Sequence, residues 1–582
     1  MKRWIKYAGP YKKYFILGPV CMIVEVLGEV LLPSLYANIL NRGIVGKNIG
    51  YIVFICAMMV LTAVAMMAGG VGGAYFGAKA AVNFAGDVRR DVFAKVQKFS
   101  FANIDKFSAG SLVTRLTNDV TQVMNFVNML LRMCLRAPGM LIGALIMLII
   151  RAPHLALVLA VTIPVLLGIQ VLLIRAAFPR FKNMQAKIDA LNTDVQENLV
   201  NVRVVKSFVR EDFEQQKFDT ANGNLKQAGL SALRLMTMIM PMMMLIMNLT
   251  MVVVIWVGGR EVVAGTMLWG DLSAYITYIT QILMSLMMVS MLFLISSRSL
   301  ASANRIAEVL DEKIDITDEN APRADKVVEQ GDVEFRDVSF RYYKNSEGLV
   351  LDHINLKIRH GQTVGVIGST GCGKSTLVSM IPRLYDVDAG EVLVDGVNVR
   401  DYNLNHLRSG VGMVLQKNVL FSGTIDENLR WGDENADHET VVAAAKSAQA
   451  DGFVSAMPRG YDTLLEQGGA NVSGGQKQRL CIARALLKKP RILILDDSVS
   501  AVDTATEALI RRAFANELKD STKIIIAQRI TSVMEADMIV VMDDGRITGI
   551  GTHDQLMQNN EEYREIYESQ MSGATEAGRE GA

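Results

Sequence analysis

The sequence predicts two parts, an all-α membrane domain of six helices and then an α/β domain built around a phosphate-binding loop. Three observations carry this. Six long apolar stretches crowd into the first 300 or so residues. Hydrophobic residues make up 51% of the 582-residue chain and charged residues only 20%, more apolar than a soluble enzyme needs. A strand, a glycine-rich loop and a helix follow one another at 363–381.

The apolar stretches run roughly over 14–40, 51–84, 121–150, 155–179, 229–258 and 271–298. Each provides the about 20 apolar residues that a bilayer crossing requires. Stretches longer than that must tilt or protrude into water. Lys2, Arg3, Lys6, Lys12 and Lys13 precede the first, which keeps the N-terminus cytoplasmic. The hydrophobic run after them is too long for a cleavable signal peptide and lacks a small-residue cleavage site. The expected location is therefore the cell (inner or plasma) membrane. The loops after spans 1, 3 and 5 are short, and those at 85–120 and 180–228 are long, charged and helix-like. The long loops share the cytoplasmic side with the α/β domain. Segments at their turns, Ala102 to Phe107 and Glu211 to Glu214, are candidates to dock on it. The expected boundaries are a membrane domain at 1–310, a linker at 311–330, a nucleotide domain at 331–575 and a tail at 576–582.

Within the spans, Glu25 and Glu29 lie one helical turn apart, as do Arg132 and Arg136, so each pair shares a helix face. Glu29 and Arg136 lie about 16 and 21 Å from the outer ends of their spans, at about 1.5 Å per residue. Similar depth permits an ion pair, and the same residues also suit a cavity lining. Span 5 carries Met236, Met238, Met240, Met242, Met243, Met244, Met247 and Met251, and span 6 carries Met284, Met287, Met288 and Met291. Thioethers adapt to varied ligands. Lipid-facing filler accounts for most of these side chains. Thr277, Gln281, Ser285 and Met288 recur at helical spacing in span 6.

The net charge of +1 offers no bulk attraction for nucleic acid, and none is expected as a partner. The five cysteines have neither disulfide-framework nor zinc spacing and read as reduced or membrane-buried thiols.

The glycine loop is Gly368-Ser369-Thr370-Gly371-Cys372-Gly373-Lys374-Ser375-Thr376, matching Gly, four residues, Gly-Lys-Ser. Thr363 to Ile367 before it reads as a buried strand and Leu377 to Ile381 after it as a helix. The glycines let backbone N–H groups turn inward around phosphate oxygens. Lys374 can reach the outer phosphates and the Ser375 hydroxyl can ligate Mg²⁺. ATP and Mg²⁺ are therefore the expected cofactors.

Further motifs follow in order. Val411 to Leu415 is an apolar strand ending at Gln416, whose amide suits Mg²⁺ or an attacking water. Ser473-Gly474-Gly475-Gln476 opens a helix over Lys477 to Leu487 and makes a second anion site. Ile492 to Leu495 is a buried strand ending at Asp496, the place for a Mg²⁺-linked carboxylate, with Asp497 next. Ser500-Ala501-Val502-Asp503 follows. Ile524 to Ala527 is one more strand, ending at Gln528. Each motif alone is weak, but the ordered set is specific.

The ordered set resembles the ATP-binding cassette (ABC) family. With six spans before it, the chain looks like an exporter-type half-transporter, over residues from about 10 to about 570. The resemblance implies an ATPase coupled to translocation by alternating access. It implies that Tyr342 stacks on adenine, that Gln416 is the Q-loop glutamine, that Ser473 to Gln476 is the signature and that Asp503 is the D-loop aspartate. It also implies a dimer, with ATP held between one subunit's phosphate loop and the other's signature.

Two positions depart from the family pattern. Asp497 stands where the family has glutamate, one methylene shorter, and a general base must come within about 2.6–3.2 Å of its proton. A misplacement of about 1 Å can cost 10²-fold in rate. Gln528 stands where the family has histidine, and an amide can neither carry positive charge nor shuttle a proton. The resemblance thus implies one subunit of a heterodimeric exporter of amphipathic drugs, lipids or peptides. This chain would supply the weak site's phosphate loop and the strong site's signature, and its partner would carry glutamate and histidine at the two departing positions. A homodimeric slow pump, an exporter-shaped importer and a nucleotide-gated regulatory protein remain open on the same residues.

Overall fold

The structure, a computed structural model, describes residues 2–151, 153–319, 321–342, 348–497 and 504–580. Two compact units emerge. One comprises Met1–Val96 with Gly110–Asp311, the other Gln97–Ala109 with Glu312–Ala582.

The first unit is helical. Among the described residues six helices are long and apolar enough to cross a membrane. Spans 1 to 6 lie within Lys12–Asn38, Ile49–Gln97, Val120–Arg151, Ala156–Val200, Glu211–Val263 and Trp269–Asp311. Spans 2, 4 and 5 run far past the apolar stretches, into the segments that read as charged loops. Those segments contain few helix breakers, and water solvates their charges, so the helix simply continues. Span 4 also passes through Pro164 and Pro179.

Spans 1, 3 and 6 pack together and spans 4 and 5 form a pair. Ala37, Ala144, Leu148, Leu155, Tyr275, Tyr278, Ile279 and Ile282 are buried in one apolar cluster. The Tyr278 hydroxyl donates to the Val30 carbonyl at 2.8 Å, which satisfies it inside that cluster. Polar ties close both ends of the group. Arg151 of span 3 meets Asp271 of span 6 and the Ser34 hydroxyl of span 1. Asp119 meets Arg305, and Arg115 reaches Glu308 at 2.9 Å.

The second unit holds two main sheets. An antiparallel sheet joins Leu351–Ile358, Val333–Phe340, Ala389–Val394 and Val397–Asn398 in that order. The six-stranded sheet runs Arg546–Gly551, Met538–Asp543, Thr363–Gly368, Thr522–Ile526, Ile492–Asp496 and Val411–Val414. Its last five strands are parallel. Strands buried on both faces read as continuous apolar runs, which is the pattern of Ile492 to Leu495 and Ile524 to Ile526. In a parallel sheet the strand ends converge on one edge, where ligands bind. Gly368, Asp496 and Ile526 all end strands at that edge.

The short helix Phe101–Lys106, between spans 2 and 3, belongs to this second unit. Ser100 and Asn103 cap it reciprocally. Its Asp105 accepts a 2.9 Å hydrogen bond from the Tyr385 hydroxyl, and Phe101 packs against the Tyr385 ring with centroids 5.9 Å apart. The other candidate docking segment, Glu211 to Glu214, forms the first turn of the span 5 helix.

Candidate functional site

The glycine loop leaves its strand at Gly368 and enters the helix Lys374–Ser379. Gly368 and Gly373 have φ of 153° and 97°. A Cβ on Gly368 would lie 2.0 Å from the Met542 carbonyl oxygen, and one on Gly373 2.7 Å from that of Val350. Only glycine fits either place. Gly373 caps the helix without a side-chain acceptor, so the first-turn N–H groups point into the loop unclaimed by a cap.

Lys374 extends its ammonium across the loop, donating to the carbonyls of Gly368 at 2.8 Å and Ser369 at 2.6 Å. The Cys372 Sγ lies 3.6 Å from the same nitrogen. Ser369 donates to Asp543 at 3.0 Å. Thr370 and Gly371 complete the turn, Gly371 with φ of 92°.

The Ser375 hydroxyl donates to the Asp496 carboxylate at 2.8 Å. Asp496 is buried, and burial pushes its carboxyl above the usual aspartate range. The Ser375 hydrogen bond works against this, and the neighbouring charge of Asp497 adds to it. A hydroxyl beside a carboxylate is a hard-oxygen pair that fits Mg²⁺, which takes one or two carboxylates and completes its shell with water and phosphate. No cluster of three or more His, Cys, Asp or Glu able to hold a metal by itself occurs among the described residues.

Asp497 has a left-handed backbone, φ 48°, and its N–H donates to the Ile526 carbonyl at 3.0 Å. The Gln528 amide donates to Asp497 Oδ2 at 2.7 Å. Gln416 also hydrogen-bonds this carboxylate, so the two glutamines converge on it. Burial raises the Asp497 carboxyl above its usual range. The Gln416 hydrogen bond and the charges of Lys374 and Arg529 pull the other way.

Tyr342 stands 41% exposed. Its edge meets Phe340 and Tyr385 with centroids 5.0 and 5.1 Å apart, and its hydroxyl pairs with the Thr376 hydroxyl at 2.8 Å.

Thus the structure gathers Tyr342, the loop from Gly368 to Thr376, Gln416, Asp496, Asp497 and Gln528 at one sheet edge. Ser473 and Gln476 hydrogen-bond each other within their own turn. Ser473 caps the helix Gly474–Leu487 by accepting from the Gln476 N–H at 3.3 Å, and Gln476 Oε1 accepts from the Ser473 N–H at 2.9 Å. Gly475, inside the first turn, passes its carbonyl to Arg479 at 3.3 Å. Asp503 lies outside the described residues. Sequence reasoning missed Tyr385, which joins the Tyr342 ring to Asp105. No local pattern signals that contact, because its partners lie 43 and 280 residues away.

In the membrane half, Arg136 binds both span 1 glutamates, at 2.6 Å to Glu29 and 3.2 Å to Glu25. Arg132 is exposed and makes no ion pair among the described residues.

Comparison with known proteins matches residues 15–286 to the ABC transporter transmembrane region and residues 351–500 to the ABC transporter family. The chain is 38% identical to the "Uncharacterized ABC transporter ATP-binding protein YfiB" of Bacillus subtilis (strain 168), over all of both chains. It is 34% identical to the "Putative multidrug export ATP-binding/permease protein YgaD" of the same organism, over 97% of this chain and 98% of that one. Among solved structures, a bacterial Atm1-family ABC exporter with ATP bound aligns with a TM-score of 0.78 at 26% identity, covering 96% of this chain and 98% of the other.

Proposed function

This chain belongs to the ABC transporter family, as an exporter half-transporter with a multi-pass membrane domain and a cytoplasmic ATPase, and from that premise we propose that it is the weak-site subunit of a heterodimeric exporter of amphipathic compounds. The observation that carries this reading is the Asp497–Gln528 hydrogen bond. In a competent site a carboxylate must be free to approach the attacking water. Here the carboxylate is short and already engaged by the amide that occupies the histidine's place. Both departures act on one water, so their effects compound.

The proposed division of labour follows. Tyr342 stacks on adenine. The loop from Gly368 to Thr376 cradles the phosphates and Lys374 neutralises their charge. Ser375 and Asp496, with Gln416 nearby, hold the Mg²⁺ ion, which when bound neutralises charge on the outer phosphates. Ser473, Gly475 and Gln476 present their helix N-terminus to the ATP held by the partner, and stabilise charge there. Asp503 lies beside them in the sequence order of the motifs.

The partner proposed is a different half-transporter with glutamate and histidine at the two departing positions. Phe208 and Val209, at the tip of the second long loop, are 74% and 81% exposed, an apolar tip that a partner would cover. An amphipathic cargo is supported by the methionines of spans 5 and 6, of which Met243 is buried and Met287 lies partly buried against the same cluster. The name of YgaD, a putative multidrug export protein, points the same way.

Steady-state ATPase of the heterodimer tests the reading. Ser473→Ala stops most turnover and Asp497→Asn lowers it only modestly. Equal losses would place the working site on this chain and end the asymmetric reading.

A further inference from the structure

The charge cluster of Glu25, Glu29 and Arg136 holds more acceptors than its donor serves. Arg136 gives Nη1 and Nη2 to the Oε1 atoms of Glu25 and Glu29, and its Nε is enclosed without a hydrogen-bond partner among the described residues, one unused donor against three unused acceptor oxygens. The Oε2 atom of each glutamate is enclosed and has no hydrogen-bond partner among the described residues. Gln281 of span 6 gives its amide to the Glu29 backbone carbonyl at 2.9 Å, and its own Oε1 is enclosed and unpartnered as well. Two carboxylates face one guanidinium. Arg132, one turn earlier on span 3, is exposed and forms no ion pair among the described residues, so it leaves the surplus negative charge in place.

Buried acceptors without donors are rare in folded proteins, and each calls for an explanation. Surplus charge inside a membrane domain is rarer and marks a binding or translocation site by default. The surroundings narrow the ligand. Val26 and Val30 of span 1 pack beside the cluster, against Gly139 and Gly143 of span 3. Gly70 of span 2 faces the free end of Glu25, where a Cβ would sit 3.3 Å from Oε2. Apolar walls with surplus acceptor oxygens suit a positively charged N–H donor on an apolar body. A bare metal ion fits poorly, since no cluster of three or more His, Cys, Asp or Glu able to hold one occurs among the described residues.

We infer that Glu25 and Glu29, held by Arg136, form the recognition site for the ammonium group of an amphipathic substrate. Glu29 is the closer partner of Arg136, so Glu25 carries the surplus charge. The inference rests on the export reading for its cargo, but concerns binding alone.

Dansylcadaverine, a fluorescent amphipath ending in a primary ammonium, and its uncharged analogue dansyl pentylamide test it. Both are titrated at pH 7, without nucleotide, against the complete transporter in lipid nanodiscs. The wild type binds the ammonium probe about tenfold or more tightly than the neutral one, equal to about 1.4 kcal/mol. Glu25→Gln keeps the Glu29–Arg136 pair and abolishes the preference, while the neutral probe still binds and reports an intact membrane domain. Gly70→Ala crowds the Glu25 carboxylate without changing charge and weakens the ammonium probe selectively. Equal affinity of the two probes for the wild type, no binding of the ammonium probe, or a preference that survives Glu25→Gln each overturn the inference and leave a purely structural ion pair. Failure of the export reading looks different: neither probe then accumulates in ATP-loaded inverted vesicles, whatever their relative affinities.

Discussion

Gln528 donates to Asp497 at 2.7 Å, joining the two positions at which this ATPase departs from its family. A hydrogen bond between the two departures means that correcting one leaves the other in the way. Asp497→Glu alone lengthens the carboxylate, but the amide of Gln528 still holds it. Gln528→His alone restores the proton-handling ring beside a carboxylate still too short. Asp497→Glu with Gln528→His is expected to raise hydrolysis at this site about 10- to 100-fold, more than the product of the single effects. Single-turnover ATPase of the proposed heterodimer, with the partner's phosphate loop disabled, checks this.

Lys374→Ala removes the ammonium that spans the phosphate loop. Photolabelling of this subunit by an ATP analogue is expected to fall at least tenfold, because a charge-assisted contact on the phosphates is lost. In the proposed heterodimer, labelling of the partner is expected to persist. Undiminished labelling of this subunit would contradict the assignment of the loop.

Asp496 gives a pH signature. Burial raises its carboxyl in the folded state, so its ionised form opposes folding. For a raised carboxyl the stability contribution is full below the unfolded-state value and is lost as pH rises through the folded-state value. Asp496→Asn stays uncharged and its Oδ1 can still accept from Ser375. The variant's ATPase domain is therefore expected to melt higher than wild type at pH 7. The advantage shrinks toward pH 4. Differential scanning calorimetry without nucleotide and Mg²⁺ reads both values. A wild type that melts higher than the variant at pH 7 would refute the sign.

Arg136 and Glu29 are expected to behave as a pair. Reversing either alone leaves like charges facing in the membrane and lowers folded yield severalfold, since breaking a buried pair is costly. Reversing both restores much of the loss. Fluorescence-detected size exclusion of the four combinations measures the coupling, and simply additive losses would show that the contact carries no energy.

Tyr385 joins the Tyr342 ring to Asp105 within one compact unit. Tyr385→Ala is expected to leave ATP binding within about threefold of wild type but to reduce substrate-stimulated ATPase. Tyr385→Phe, which keeps the ring contacts and loses only the Asp105 hydrogen bond, is expected to have the smaller effect. The order of the two losses shows whether ring packing or the hydrogen bond carries the coupling.

Much of this molecule is local in origin and so was legible in the sequence. The number and positions of the spans follow from runs of apolar residues, because a bilayer demands about 20 of them whatever the neighbours are. The phosphate loop is set by glycines at φ values that other residues rarely adopt, together with Lys374 and Ser375 at fixed offsets. The strands ending at Gly368, Asp496 and Ile526 announce themselves as continuous apolar runs. Even the two departures, Asp497 and Gln528, are single letters read against a family pattern. What only the tertiary structure decided is which of these residues touch. That Gln528 holds Asp497, that Arg136 divides itself between Glu25 and Glu29, and that the helix at Phe101–Lys106 joins the ATPase unit through Tyr385 all depend on contacts between distant segments. The extent of spans 2, 4 and 5 was decided there too, since a charged, helix-like segment with few breakers is compatible with both loop and helix until the adjoining apolar helix continues through it. Chain-distant pairing leaves no period in a sequence, because it is fixed by the packing of whole helices and strands rather than by the preferences of neighbouring residues.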